Sequence, residues 1–413
     1  MQMGDVAALD LISDLPQSII EIILTRLPIR DAVRTSILST KWRYRWATLT
    51  ELVFDRTLVE KSIVNFITRA LFLHQGPIHK FQLSTTYLQC CPDIDQWLLF
   101  LSRNDLKELI LELGEGEGDW FRVPSCLFNC KKLTRLELHR CEFDPAPNFK
   151  GFSSLRSLNL DQVLVAPDVI ECLISSCPVL ESLSLTYSDS LDLNINAPNL
   201  KYLFLEGEFK DVCLENTPLL VEISVAMYIA EHFEQSSSCN FIKFLGGVPL
   251  LNKLVGYIYF TKYLSIGDDP GRLQITYSQL KIIELHQVSF EDMKEIMVVI
   301  RLITNSPNLT ELKVSGSSNS LAATEEEYDL DLWEKECPSD CSFNHLKFVK
   351  MTDIAGVPHE MELIKFLLKN SPVLETMSIT PCVFLKDRKL SMLIDLVRFR
   401  RASDQAEIVF VQN

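Results

Sequence analysis

The chain has 413 residues, 47% of them hydrophobic, and a formal net charge of −15. That apolar content supports a large core and excludes a disordered chain, while the acidic balance argues against a nucleic-acid surface, which needs basic patches to displace phosphate counterions. No apolar run approaches the ~18 residues of a membrane-spanning helix, and the N-terminal residues lack the basic start and apolar run of a secretory signal, so an intracellular protein with reduced cysteines is expected.

The first informative stretch is SDLPQSIIEIILTRLPIRDAVRTSILSTKWRYRW, residues 13–46. It is amphipathic at helical spacing, and two Leu-Pro steps cut it into short pieces. Leu15, Ile19, Ile22, Ile23 and Leu27 fall on one side of a first helix, with Pro16 in its first turn. Pro28 closes that segment. Asp31 is the candidate cap of a second helix that presents Ala32, Val33, Ile37 and Leu38. Ser39 precedes a third, with Trp42 and Trp46 four apart. Three such helices have little interior to share, so an apolar strip is expected to stay exposed as a protein interface. Six Lys/Arg lie within Arg26–Arg45, against Asp31 alone.

In order and spacing this stretch closely resembles an F-box. The family's motif reads leucine-proline, an apolar helix, a second leucine-proline, then an apolar helix ending in Ser-x-x-Trp. Here these are Leu15-Pro16, Ile19–Leu24, Leu27-Pro28, Ala32–Leu38 and Ser39 to Trp42. The resemblance implies a small acidic Skp-type adaptor as partner, and through it a cullin scaffold. Carried over by position, the adaptor contacts would be Leu15, Pro16, Ile19, Ile23, Leu27, Pro28, Ala32, Val33, Leu38 and Trp42. The basic bias of Arg26–Arg45 suits an acidic partner. The alternative is that these helices only cap the structure that follows, and the two roles are compatible.

From Leu49 onward a second pattern takes over: apolar-x-x-apolar-x-apolar. It reads LTELVF (Leu49–Phe54), IHKFQL (Ile78–Leu83), LKELIL (Leu106–Leu111), LTRLEL (Leu133–Leu138), LRSLNL (Leu155–Leu160), LESLSL (Leu180–Leu185), LKYLFL (Leu200–Leu205) and LVEISV (Leu220–Val225). It continues through a degenerate copy, LNKLVG (Leu251–Gly256), to LKIIEL (Leu280–Leu285), LTELKV (Leu309–Val314), LKFVKM (Leu346–Met351) and LETMSI (Leu374–Ile379). Most steps between copies are 20–31 residues, close to the range of leucine-rich repeats, which the pattern resembles in its irregular plant form. The last three residues of each copy alternate like a strand with one buried face. Pro178, Pro198, Pro218, Pro249, Pro307 and Pro372 sit two residues ahead of six copies and are read as setting the chain extended. Helices are expected over 167–176 (Ile170, Leu173 and Ile174 inward), 289–303 (Ser289 as cap; Phe290, Met293, Ile296, Met297 and Ile300 inward) and 361–372. Each unit is therefore read as strand, turn, helix and return, stacked into a solenoid with a strand-lined face.

Near the C-terminus, His345–Ile379 followed by Val397–Phe410 reads as strand, helix, strand, helix, strand, and resembles the FBD domain of plant F-box proteins. Together the three resemblances point to the plant F-box/FBD/LRR-repeat family. The expected architecture is α/β: a three-helix F-box at 8–48, an irregular leucine-rich-repeat solenoid at 49–335, and an FBD segment at 336–413 that closes it.

No catalytic constellation emerges. Cys126 with Cys130, and Cys337 with Cys341, are four apart, but neither pair has a matched second pair at zinc spacing. His139 and Cys141 alternate on one strand, which leaves a metal site open as a minor reading beside buried thiols. Phosphate loops, nucleophile elbows and HExxH are absent from the sequence. Two acidic stretches, Glu112–Asp119 and Glu325–Glu336, are solvated insertions or docking loops for a basic partner, the second with Tyr328 and Trp333 as apolar anchors. Arg398, Arg400 and Arg401 are read as the wet face of a helix. Some plant relatives with these modules hold an inositol phosphate, but the scattered basic residues reveal no such cradle, so no cofactor is expected. The implied role is a substrate-recognition adaptor of an Skp–cullin–F-box ubiquitin ligase, with the repeats holding an unknown protein substrate. The rival is a leucine-rich-repeat binding or scaffold protein outside any ligase.

Overall fold

Each leucine-rich hexapeptide read from the sequence forms a strand. The computed structural model describes residues 12, 15–55, 63–85, 91–114, 120–146, 149–228, 244–266, 276–317, 333, 341–383 and 389–411. They divide between two compact units, Met1–Leu180 and Glu181–Asn413, so the division falls inside the repeat run.

The first unit opens with α1 (Gln17–Thr25) and α2 (Ile29–Arg34). Its strands β1 (Glu51–Phe54), β2 (Lys80–Thr85), β3 (Glu108–Leu113), β5 (Arg135–His139) and β7 (Ser157–Asp161) pair in parallel, each beside its predecessor. Parallel neighbours need a return path over the sheet. Three of these paths are helical: α3 (Ile63–Leu73), α4 (Asp93–Leu101) and, after β7, α5 (Pro167–Ser175). α3 buries Ile63, Ile67, Ala70 and Leu71, a one-sided stripe at helical spacing. α5 starts with proline at its first turn and buries Ile170, Leu173 and Ile174, as the spacing predicts. After β3 the return is a 3-10 turn, Ser125–Asn129, and a two-stranded ladder of β4 (Phe121–Arg122) with β6 (Cys141–Glu142).

In the second unit β8 (Ser182–Asn196), β9 (Tyr202–Asn216), β10 (Glu222–Met227), β11 (Lys253–Gly256), β12 (Ile282–Val288), β13 (Glu311–Gly316), β14 (Phe348–Ile354), β15 (Thr376–Pro381) and β16 (Glu407–Phe410) follow one another in parallel. The helices α6 (Phe260–Ser265), α7 (Met293–Thr304), α8 (Pro358–Asn370) and α9 (Lys389–Arg398) carry returns. The C-terminal order of β14, α8, β15, α9 and β16 is the strand–helix alternation read from the sequence.

The uniform strand-helix plan fails at β8 and β9. These copies are 20 residues apart, too short for a helix and two turns, and each strand runs on for 15 residues. Their second halves alternate at period two: Leu193, Ile195 and Ala197 are buried while Asp192, Asn194 and Asn196 are exposed. The return is therefore a strand, and Leu193 and Ile195 pair with Val212 and Leu214. The Val212 N–H donates to the hydroxyl of Tyr263 at 2.9 Å, which satisfies a fully buried tyrosine on α6.

The six prolines make turns rather than extended chain. In each case the residue before the proline accepts, through its carbonyl, the N–H of the first pattern leucine: Cys177 to Leu180, Ala197 to Leu200, Thr217 to Leu220, Val248 to Leu251, Ser306 to Leu309 and Ser371 to Leu374. Proline thus sits second in a four-residue turn, where its fixed φ is already correct. At the other end of the strands Arg140, Gln162, Tyr187, Gln287 and Asp353 lie two residues past the pattern with φ between 51° and 58°. This left-handed step ends β5 and β7 and shifts the register within β8, β12 and β14. It costs roughly 1 kcal/mol or more for a residue with a Cβ.

Two helix starts also differ from expectation. Asp292, not Ser289, caps α7, its carboxylate accepting from the Lys294 N–H at 2.9 Å. Pro28, not Asp31, precedes α2, and Asp31 lies inside its first turn.

Candidate functional site

The N-terminal surface is built by the two Leu-Pro steps. The Pro16 carbonyl accepts from the N–H groups of Ile19 and Ile20 at 3.0 and 3.2 Å, and the Pro28 carbonyl from those of Asp31 and Ala32 at 2.9 and 3.0 Å. Each proline so launches a helix at a fixed place. The third helical segment is not α-helical. After Ser39 it is a 3-10 turn at Arg45–Thr48, entered through Tyr44 at φ 64°, and the second helix stops at Arg34 and passes into another 3-10 turn at Thr35–Ile37 instead of reaching Leu38. A run of Thr, Ser and aromatic residues between two tight turns is too short to nucleate an α-helix.

Inside this segment lie Ile20, Leu24, Ile29, Ala32, Trp42, Trp46 and Ala47, all buried. The Trp42 indole N–H donates to the Ile12 carbonyl at 3.1 Å. Outside lie Ile12, Ile19, Ile22, Ile37, Leu38 and Tyr44, between 41% and 87% exposed. Of the ten positions carried over from the motif, Pro16, Ile19, Pro28 and Leu38 are exposed, and Leu15, Ile23, Leu27 and Val33 are half-buried. Ala32 and Trp42 are interior, so their side chains shape the surface and do not form it. Ile22 and Ile37, absent from those ten positions, are among its most exposed apolar groups. Ile22 shares the outer side of α1 with Ile19. The 87% exposure of Ile37 comes from the 3-10 turn, which has no signature in the sequence.

Exposed Arg26, Arg30, Arg34, Lys41 and Arg43 rim the apolar side chains. A cleft of about 460 Å³ lies beside them, lined by Arg30, Arg34 and Arg69 over Val33, Trp46 and Phe66. An apolar strip edged with guanidinium groups fits a partner with apolar and acidic side chains.

The second candidate surface is the polar face of the strands. In the first unit the register sets Glu51, Lys80, Glu108, Arg135 and Ser157 in one row, a sequence of alternating charge. His139 Nδ1 stands 2.8 Å from the Asp161 carboxylate, above a cleft shared with Glu112, Glu137 and Asn159. In the second unit Lys253 pairs with Glu222 at 3.0 Å, and Lys313 with Glu311 and Glu284 at 2.9 and 3.1 Å.

His139 and Cys141 are not brought together. The left-handed Arg140 between them leaves the imidazole on the strand face and turns the thiol into the core. Burial pushes the thiols of Cys130 and Cys177 up to about 11 and that of Cys141 up to about 12, so they stay protonated and weakly nucleophilic at neutral pH. Cys126 and Cys341 are raised for the same reason. Cys337 and Tyr328 lie outside the described residues, as do 115–119 of the first acidic stretch. Among the described residues no group of three His, Cys, Asp or Glu side chains is placed to hold a metal.

Trp333 is not a docking anchor. It is buried, its indole N–H donates to Nδ1 of the buried His359 at 3.0 Å, and it packs on Phe366 of α8. Its ring is therefore taken up by the protein itself. Arg398 ends α9 and is exposed, but the helix is not simply wet on its outer side. Leu390, Leu393, Ile394 and Val397 are exposed there at i, i+3, i+4 and i+7, while Met392 and Leu396 pack inward.

A profile of the F-box domain matches residues 12–53, one of the FBD residues 334–379, and one described as FBD-associated F-box protein At5g56370, LRR repeats, residues 94–314. F-box/FBD/LRR-repeat protein At1g13570 of Arabidopsis thaliana is 63% identical, over 98% of this chain and 99% of its own. The chain belongs to the F-box/FBD/LRR-repeat family. More distant relatives in the same plant share its full extent. F-box/FBD/LRR-repeat protein At3g26920 is 27% identical over 97% of this chain and 96% of its own, and FBD-associated F-box protein At5g56370 is 26% identical over 97% and 100%. The F-box match coincides with the proline-launched helices, the repeat match with strands β3 to β13, and the FBD match with β14, α8 and β15.

Proposed function

We propose that this F-box/FBD/LRR-repeat protein is the substrate-recognition subunit of an Skp–cullin–F-box-type ubiquitin ligase. The F-box holds an Skp-type adaptor and the strand face of the repeats holds a protein substrate. The observation that carries this reading is the outward display of Ile19, Ile22, Ile37 and Leu38 within a basic rim. Apolar groups of that size, gathered on a segment with so small an interior, are stabilised when a partner covers them. Leu15, Pro16, Ile23, Leu27, Pro28 and Val33 complete the contact, and Ala32 and Trp42 hold it in shape.

The protein performs no chemistry in this reading. It acts by proximity, raising the effective concentration of substrate lysines near a charged conjugating enzyme that another subunit carries. Work of this kind takes place inside the cell, in cytoplasm or nucleus.

The test is reconstitution. The full chain is mixed with an Skp-type adaptor, a cullin and its RING partner, and assembly is followed by size exclusion. A single complex containing the cullin supports the ligase reading. A complex that stops at the adaptor turns the protein into a repeat binding module outside the ligase.

A further inference from the structure

At the end of the strand face in the second unit, aromatic rings gather around carboxylates. Tyr187, just past the pattern of β8, stacks on Tyr228, which follows β10, with ring centroids 6.3 Å apart and planes 15° from parallel. Between those strands runs β9, whose half-buried Glu206 accepts a hydrogen bond from the Tyr228 hydroxyl at 2.6 Å. Glu208, two residues on and also half-buried, makes no ion pair among the described residues. Beside β10, Tyr257 at the end of β11 stacks on His286 of β12, with centroids 5.2 Å apart and planes at 9°. Tyr187 and Tyr257 are 50% and 39% exposed. Among the described residues, Lys253 of this face is taken by Glu222, and Lys313 by Glu284 and Glu311.

Stacked rings open to solvent on a strand face offer their negative faces to a cation. A carboxylate held beside them by a tyrosine hydroxyl adds full charge at a fixed point. Nucleic acid, which also stacks on aromatic rings, is disfavoured because its phosphates would meet Glu206 and Glu208 in a unit with 33 acidic and 21 basic residues. A purely apolar partner would leave those carboxylates buried without a counter-charge. A lysine or arginine side chain satisfies both components at once.

We infer that the Tyr187, Tyr228, Tyr257 and His286 rings with Glu206 and Glu208 form a recognition platform for a basic segment of a partner protein, whose Arg or Lys side chain lies on the rings and pairs with the carboxylates. The inference deepens the substrate-binding half of the proposed function and rests on it for the identity of the partner as a substrate. The platform stands independently of the F-box contact, which belongs to the other unit.

The test is a selection with a defined probe. A phage-displayed library of random peptides is panned on the full chain, and in parallel on Glu206→Gln and on Tyr187→Ala/Tyr228→Ala. The best enriched peptide is then labelled and its binding followed by fluorescence anisotropy. The expected result is enrichment of Lys- or Arg-containing peptides whose affinity falls about tenfold or more in either variant and weakens with salt, while the thermal midpoint of Glu206→Gln matches wild type. Enrichment of acidic or uncharged peptides, binding unchanged in both variants, or no enrichment would overturn the inference. Capture of an Skp-type adaptor by the same preparation is scored separately. Loss of adaptor capture with retained basic-peptide binding removes the ligase reading and leaves the platform; the reverse removes the platform alone.

Discussion

The Trp42 indole N–H donates to the carbonyl of Ile12, thirty residues earlier in the chain, and its ring is 2% exposed. The tryptophan that ends the F-box motif is thus a strut under the exposed apolar surface. Replacing it acts through packing: Trp42→Ala should lower stability by about 3–5 kcal/mol, the usual cost of emptying an aromatic core site. Ile22→Asp and Ile37→Asp remove groups that touch water already, so each should change stability by no more than about 0.5 kcal/mol. Denaturant unfolding of the three variants separates the roles.

Gly256 ends the degenerate copy LNKLVG where other copies place a large apolar residue. The gap is filled from outside the pattern. A Cβ at Gly256 would overlap the ring of Phe260, which is fully buried. Restoring the repeat consensus with Gly256→Leu should therefore destabilise the second unit, by about 1–3 kcal/mol as for other overpacked cores. Shortening the ring as well, in Gly256→Leu/Phe260→Ala, should recover part of that loss. Paired thermal melts check the sign, and a stabilised single variant would show that the ring does not occupy the site.

Glu360 is 1% exposed, and burial pushes its carboxyl up to about 7 even though the N–H groups of Gly356 and Val357 donate to it. Its folded-state pKa is raised above the unfolded value, so the folded protein binds more protons between about pH 4.5 and 7, and stability falls as pH rises through that window. The contribution is of the order of 3 kcal/mol at most. Glu360→Gln keeps an acceptor oxygen for both N–H groups and removes the titration. Melting temperatures of wild type should decline relative to the variant from pH 5 to 8. Parallel curves would show that Glu360 does not titrate there. Buried Glu295, also raised by burial, adds in the same direction in both proteins.

Trp333 donates to His359 Nδ1, which fixes that histidine with its proton on Nε2 when neutral. Trp333→Phe keeps a ring against Phe366 but leaves the buried Nδ1 without that donor, at a cost of about 1–3 kcal/mol. Chemical denaturation of the variant measures it, and no loss would mean that the histidine finds another donor.

Much of this was legible because leucine spacing is a direct consequence of packing. All thirteen hexapeptides became strands, since alternation at period two leaves one buried face whatever surrounds it. Helix positions were legible where a one-sided stripe followed a good start, as at Pro167. Caps were less so: Asp292 and Ser289 are equally good acceptors, and only the path of the chain selects one. The prolines were read for what they forbid, when their effect here is the turn they permit. The F-box surface was readable as a segment but not residue by residue. Ile20 and Ile19 are neighbours of equal hydropathy, and tertiary packing alone decides that the first is covered and the second is not. An inward role for Trp333 is in neither reading of its acidic stretch, solvated insertion or docking loop, because the sequence does not show that His359 and Phe366 wait for it 26 and 33 residues later.

Adaptor binding by the exposed apolar groups of the F-box is the step on which the proposed function depends. The most direct measurement is co-purification of the full chain with such an adaptor, beside an Ile22→Asp/Ile37→Asp/Leu38→Asp variant whose unfolding midpoint is recorded on the same sample. A stable wild-type complex is expected and no complex with the variant, at equal midpoints. A variant that still binds, or a folded wild-type chain that does not, would contradict it.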